Sequence, residues 1–226
     1  PPAERGPRRN GRPRRPVPGS RGPVVDFTLG EAMRTRSFWM LNFGHATALL
    51  VVGSTMAHLS IYLTEEQGFS LQAAGLLGTA LLLTQFLGQV CGGWLGDRYS
   101  KRYLVMAAMV GHVIGMLLFT FAVDPWMIWA FVPFHGLAWG IRGPLMQAIR
   151  ADYFGASSFG RIMGWSALII MLGTMSGPII VGVLRDATGT YTLGLTVVTV
   201  GASLAVGFFL LATRPLHPSQ RTAPTA

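Results

Sequence analysis

Arg142 and His135 stand seven residues apart in an otherwise apolar stretch, which at 3.6 residues per turn places them on one face of a helix, two turns apart. A guanidinium offers five N–H donors in a planar fork that matches a carboxylate, and an imidazole beside it can hydrogen-bond the same anion or relay a proton. Gln85 and Gln89 share a face of an earlier apolar run, as do Thr47, Ser54 and His58 of the first one. Such polar stripes face a cavity or another helix. His45 and His112 lack polar company on their faces and read as packing residues. The chemistry these groups suggest is holding, not bond-making. There is no H-E-x-x-H, no G-x-S-x-G and no Walker A pattern, and the histidines have no acidic partner in the same helix. Cys91 is the single cysteine, so neither a disulfide framework nor a cysteine zinc site can form. Enzyme activity, a cofactor and a resident metal are therefore not expected. The rival in that class is an intramembrane metal site on His58 and His135.

A second group of residues lies at the end of an apolar run: Gly93, Asp97 and Arg98, followed by Lys101 and Arg102. Glycine there lets helices approach closely, and a carboxylate can face the positive N-terminus of a neighbouring helix while the cations stay in water.

The elements that must position these side chains are membrane helices. Half of the 226 residues are hydrophobic, only 12% are charged and the mean hydropathy is +0.45. That is more apolar than a soluble domain of this size carries. A bilayer core takes about 20 apolar residues in a helix. Six runs reach that length, from Phe38 to Leu63, Leu71 to Leu95, Tyr103 to Val123, Trp126 to Ile149, Ile162 to Leu184 and Tyr191 to Ala212. The expected fold is all-α, with six transmembrane helices and short connections such as Thr64 to Gly68. Gly177-Pro178 is expected to kink or loosen the fifth run. Residues 1–27 hold seven arginines and seven prolines, lack the apolar content to fold and read as a disordered cytoplasmic linker. Residues 28–37 read as a short interfacial amphipathic segment opened by a capping box at Thr28 and Glu31, residues 38–212 as the bundle, and residues 213–226 as a cytoplasmic tail.

Of the 18 basic residues, 16 fall before the first run, between the second and third, between the fourth and fifth, or after the sixth. Arg185 alone lies on the other side, with Arg142 inside the fourth run. By the positive-inside rule both ends of the chain are cytoplasmic. The same bias accounts for a net charge of +9 without a nucleic-acid partner. The spacing also repeats. Phe38 and Trp126 open the first and fourth runs and Tyr103 and Tyr191 the third and sixth, 88 residues apart in each case, and Gly93-Trp94-Leu95-Gly96-Asp97 recurs as Gly182-Val183-Leu184-Arg185-Asp186. Three crossings per copy turn the second copy upside down, an inverted repeat of the secondary-transporter kind.

The stretch from Gly93 to Arg102 resembles the loop signature of the major facilitator superfamily, G-x-L-a-D-R-x-G-R-K, with Ser100 where that family usually has Gly. Arg142-Gly143-Pro144, Ala151-Asp152-Tyr153-Phe154-Gly155, Phe159-Gly160-Arg161-Ile162-Met163-Gly164 and Asp186 to Tyr191 look like the second half of monocarboxylate and oxalate/formate carriers. The resemblance implies six of the usual twelve helices, with an N-terminal six-helix half as the missing partner. It implies alternating-access transport of a small organic anion, a mono- or dicarboxylate, across the cell membrane, against another anion or together with protons. Asp97 and Arg98 would be gating residues. Arg142 would hold the carboxylate, with His135 and Gln85 tuning the pocket. A self-sufficient six-helix homodimeric carrier or channel and an inert fragment are the alternatives. The cation bias makes a direct prediction: protease sites engineered at the two ends of the chain are cut from the same, cytoplasmic, face. Cleavage from opposite faces would break the expected even number of crossings.

Overall fold

The computed structural model describes residues 26–218. Among them every regular element is helical: α1 (Leu29–Met33), α2 (Arg36–Ile61), α3 (Leu71–Arg98), α4 (Lys101–Thr120), α5 (Pro125–Phe154), α6 (Phe159–Thr188) and α7 (Thr192–Leu211). The linker and tail expected at the extremes lie largely outside the described residues. Phe27, assigned to the linker, is instead packed: its amide donates to the Phe154 carbonyl at 3.0 Å and the residue is 2% exposed, while the exposed Asp26 accepts from the Ala156 amide at 2.8 Å.

The starts of the helices follow from side chains that satisfy otherwise orphaned amides. The hydroxyl of Thr28 accepts from the Glu31 amide, while the Thr28 amide and hydroxyl donate to the Glu31 carboxylate, which completes the expected capping box. Those donors hold the Glu31 carboxyl below its ordinary range, the backbone bond contributing most. Thr35 caps α2 and Ser70 caps α3. Pro125 opens α5, where its missing N–H is no loss. Gly155 ends α5 at a φ of 79°, and a side chain there would collide with the Asp26 carboxylate. The α1 helix is only 5 residues long, with Ala32 buried, so the expected interfacial segment is a short docked turn.

At the far end of α2 the structure departs from the expected Thr64-to-Gly68 connection. The helix continues through a π-helical turn over Tyr62–Glu66. The extra residue in that turn lets neighbouring carboxylates serve two partners. Glu65 pairs with Arg185 at 2.9 Å, and Glu66 accepts from the Tyr191 amide at 2.7 Å.

Five of the long helices are long and apolar enough to cross a membrane: α2 with its π turn, α3, α4, α6 and α7. The sixth expected crossing, α5, has the length, at 30 residues, but not the apolarity. Arg142, Arg150, His135, Pro133, Pro144 and three tryptophans dilute it. His135, Arg142 and Arg150 are nevertheless buried, because α5 packs along α3 on one side and α4 on the other. In the same way α2 packs along α6 and α7, and α4 packs on α7 to join the two groups. The core contains Val105, Met109, Met116, Phe119, Phe131, Val198 and Phe209. The outer faces of α3 and α6 expose leucines, methionines and Phe86, as lipid or another apolar surface requires.

Small residues set the closest approaches. A Cβ on Gly140 of α5 would run into the Gln85 carbonyl of α3, and one on Gly88 would lie 2.7 Å from the Leu137 carbonyl. On the other side, a Cβ on Gly53 of α2 would lie 2.6 Å from the Thr174 carbonyl of α6, and one on Gly177 would meet the Leu50 carbonyl. Gly140→Leu is expected to cost about 1–3 kcal/mol or more through overpacking, seen as a lower thermal-unfolding midpoint in detergent. Gly75→Leu, on α3 with nothing within 4 Å of its Cβ position, leaves the midpoint in place.

Candidate functional site

The two largest fully buried side chains among the described residues are arginines, Arg142 and Arg150, each 1% exposed. Both lie on α5, eight residues apart, with His135 seven residues before Arg142, so one stripe of the helix carries all three. The neighbours across the stripe come from α2 and α4. The Arg150 guanidinium donates to the Met146 carbonyl at 3.2 Å and to the Asn42 side-chain oxygen at 3.0 Å. Its Nη2 also lies 3.2 Å from His45 Nδ1. A guanidinium only donates, so His45 accepts through Nδ1 and carries its proton on Nε2. Further along, His112 of α4 and His135 approach through their Nδ1 atoms at 3.2 Å, with the rings edge to face and centroids 4.5 Å apart. The Phe131 ring stacks on His135 at 4.9 Å.

Arg142 sits between these two clusters and bonds to neither: Nε, Nη1 and Nη2 are all buried without a hydrogen-bond partner. The buried polar residues of the described chain include these two arginines and three histidines but no Asp or Glu. The interior charge is therefore all positive. Burying an unpaired cation costs several kcal/mol in a protein interior, and a guanidinium with idle donors is complementary to an oxyanion. Two ordinary fates of a membrane arginine do not apply. The side chain does not snorkel, since it is enclosed, and it does not cap the carbonyls freed by proline, since it makes no such bond. Nor does it face outward: it is shielded by the helices of this chain alone.

The structure redistributes the roles expected of the other polar residues. His135 meets His112, expected as a packing residue, and does not hydrogen-bond Arg142. His45, expected likewise to be packing, contacts Arg150. Arg150, counted with the cations of a connecting loop, belongs to the helix interior. Asn42 and Arg150 are functional candidates that sequence reading missed. The signal was there in the spacing, since 135, 142 and 150 fall on one stripe and 42 and 45 on one face of α2. Gln85 is half-buried at the α3–α5 contact and Gln89 is exposed; neither bonds to Arg142. His58 reaches the Pro178 carbonyl of α6 at 3.0 Å, while Ser54 and Thr47 back-bond to their own helix at Leu50 and Phe43. His58 and His135 thus have separate partners and do not come together as a metal pair.

Pro178 lies inside α6 and cannot donate to the Thr174 carbonyl four residues earlier. Gly53 stands directly against that freed oxygen. At the opposite end of the bundle the Gly93–Arg102 stretch is a tie between helices. Lys101 pairs with Asp152 of α5 at 2.7 Å. Arg102 donates to the Phe209 carbonyl at 3.0 Å and to the Leu210 carbonyl, both of α7. Arg98 lies over the Trp94 ring at 3.8 Å, and Asp97 borders a groove of about 350 Å³ with Lys101, Asp152 and Tyr153. Gly93 does not provide the close approach expected of it: a Cβ there meets nothing within 4 Å. Gly92 and Gly96 do, against Ile141 and Leu145 of α5.

Comparison with known proteins places this arrangement. The family model described as Major Facilitator Superfamily matches residues 41–226. A probable nitrate/nitrite transporter of Mycobacterium tuberculosis is 30% identical over 82% of this chain and 48% of its own length. Monocarboxylate transporter 13 of Bos taurus is 30% identical over 93% of this chain and 48% of its own length. A benzoate transport protein of Acinetobacter baylyi is 22% identical over 88% of this chain and 42% of its own. Among solved structures, a proton-dependent oligopeptide transporter superposes with a TM-score of 0.71 at 16% identity, over 80% of this chain and 42% of that one. The chain thus spans about half the length of the relatives it matches.

The unbalanced positive interior gives a prediction of its own. Asn42→Leu removes an acceptor from buried Arg150 and is expected to cost about 1–3 kcal/mol. Asn42→Asp supplies an anionic acceptor at the same position and raises the thermal midpoint in detergent above that of the leucine variant.

Proposed function

The chain belongs to the major facilitator superfamily, whose members are transporters and not enzymes, and from that premise we propose that it is the C-terminal half of a secondary carrier moving a small organic anion by alternating access. The single observation that carries the anion is Arg142, a fully buried guanidinium with no acceptor and no buried carboxylate to balance it among the described residues. A mono- or dicarboxylate fits its planar fork bidentately. Relatives named for nitrate/nitrite, benzoate and monocarboxylates have a small anion in common.

The half-carrier reading rests on the length of those relatives and on a correspondence between the two helix groups. The pair of contacts that joins α2 to α6, Gly53 on Thr174 and Leu50 on Gly177, is matched by the pair that joins α5 to α3, Gly140 on Gln85 and Leu137 on Gly88. Residues 50 and 53 map to 137 and 140 by an offset of 87, and residues 85 and 88 map to 174 and 177 by an offset of 89. That supports two inverted three-helix repeats, α2–α4 and α5–α7, with α5 as the sixth crossing. The exposed apolar faces of α3 and α6 supply a surface for the other six-helix half. The cation bias supports a cell-membrane protein with both ends cytoplasmic.

In this reading Arg142 holds the carboxylate, while His135 and Gln85 shape its surroundings. Pro133 and Pro144 bracket the Arg142 segment of α5 and remove two helix hydrogen bonds, which lets it bend away from α4 to admit the anion. Pro178 loosens α6 in the same manner. The tie of Lys101 and Arg102 to α5 and α7, with Asp97 and Arg98 beside it, latches the cytoplasmic end.

The test is uptake of radiolabelled lactate, benzoate and nitrate by the complete gene product in proteoliposomes. Lactate or benzoate enters faster than nitrate. Arg142→Ala lowers carboxylate uptake by about 10- to 100-fold, the worth of a charge-assisted hydrogen-bonded pair. Wild-type uptake by Arg142→Ala removes the substrate role, and transport of nitrate alone removes the organic anion.

A further inference from the structure

We propose that a groove on the outside of the bundle, between α3 and α4 with α5 as its floor, holds one anionic phospholipid, its phosphate at Arg98 and an acyl chain running past Ala107 to Gly111. This goes beyond the anion reading and does not depend on it. The groove exists because α3 and α4 each pack along α5 but scarcely touch one another. Its mouth is the hollow of about 350 Å³ that Asp97, Arg98, Lys101 and Arg102 border. The inner part adjoins that hollow, where Leu95 precedes Gly96 and Leu104 follows Lys101 by one turn. There a space of about 500 Å³ is lined by apolar residues alone, among them Ala107, Ala108, Gly111, Phe134 and Ala138. The alanines and the glycine give it depth.

The length of the groove selects its occupant. Along α4 the mouth and the apolar part together run from Lys101 to Gly111, about 15 Å at helical rise. That is one leaflet's share of a hydrocarbon core about 30 Å thick. The groove stops there for a structural reason. One turn further on, a Cβ on Gly115 would lie 3.1 Å from the His135 amide nitrogen and 3.3 Å from the Phe134 Cβ, so α4 and α5 close on each other. A helix of a partner protein needs a channel along the whole of α4, to Thr120; a slot of half that length suits a flexible chain. Exposed Trp94, Tyr99 and Tyr103 surround the mouth, and such aromatic residues sit at headgroup depth.

The charges at the mouth fix the sign of the headgroup. Lys101 is committed to Asp152, and Arg102 to the Phe209 and Leu210 carbonyls. Arg98 is exposed, with its guanidinium over the Trp94 ring at 3.8 Å, which leaves its N–H edge open to a phosphate. Asp97 opposes an anion there, but the surrounding field outweighs it. Among the described residues this end of the bundle carries eight lysines and arginines against four carboxylates, whereas the other end has Arg185 against four. An anionic headgroup is drawn to the cation-rich end, and a neutral one gains nothing from that charge. Seated there, the lipid fills the wedge between two helices that have little direct contact of their own.

The test uses the complete gene product, purified in detergent and stripped of lipid. Native mass spectrometry follows the binding of dioleoyl phosphatidylglycerol, which is anionic, and of dioleoyl phosphatidylcholine, which carries no net charge. The first phosphatidylglycerol binds about tenfold more tightly than phosphatidylcholine, or better. Ala107→Phe fills the groove and weakens phosphatidylglycerol by about tenfold or more, while Val110→Phe, on an exposed face of α4 outside the groove, leaves it within about twofold. Arg98→Gln lowers the affinity for phosphatidylglycerol to that for phosphatidylcholine. Equal affinity of the unaltered protein for the two lipids overturns the proposal without any variant. Wild-type affinity in Ala107→Phe, or an equal loss in Val110→Phe, overturns it as well. Displacement of phosphatidylglycerol by excess glycerol phosphate marks a site for free phosphate and overturns the lipid.

Discussion

A guanidinium kept from water and denied an acceptor sets the terms for the helices around Arg142. A carboxylate would neutralise it, but the buried residues of the described interior include none. Its neighbour Arg150 shows what a settled arginine looks like in the same helix, with a carbonyl, an amide oxygen and an imidazole nitrogen gathered about it. The difference between the two, eight residues apart on one stripe, separates a cation that helps to hold α2 against α5 from one that is idle. The α5 helix accordingly carries the polar load of the bundle, and it is the long helix too polar to meet the apolarity of the other five.

The rest of the architecture makes that arrangement tolerable. Glycine-to-carbonyl contacts clamp α5 to α3 and α2 to α6 at distances no larger residue permits, so those surfaces behave as rigid pairs. Among the described residues the carboxylate–cation pairs lie at the two ends, Lys101–Asp152 with Arg102 nearby at one and Glu65–Arg185 at the other. Between the ends the helices are held by close packing and by a few hydrogen bonds across them, from Arg150 to Asn42, between His112 and His135, and from His58 to the Pro178 carbonyl. Exposed ion pairs contribute little to stability; here their use is to fix which helix ends meet.

Much of the fold was legible in the sequence, because apolar runs of membrane length, caps and proline starts are local signals. The Thr28–Glu31 box formed as its spacing required, and helix positions agreed to within a few residues. What was not legible depended on partners supplied by other helices. His45 and His112 looked solitary on their own faces, and each acquired company only when α5 came alongside. Arg150 looked like a loop cation because the apolar run fades before it, whereas the helix continues to Phe154. The π turn at Tyr62 escaped notice because Thr64-Glu65-Glu66 has the composition of a loop, and only the facing Arg185 and Tyr191 amide give it reason to stay helical. The periodicity shows which residues share a face; it cannot show what that face meets.

The enclosure of Arg142 has an evolutionary corollary. Its walls are α2, α4 and α5, all from one chain, so no seam between domains runs through the cationic stripe. Recombination that exchanged such bundles between related genes would transplant the stripe whole, and duplication or divergence of the adjoining sequence would leave its geometry untouched. Whatever chemical preference resides there is a property that a single module inherits.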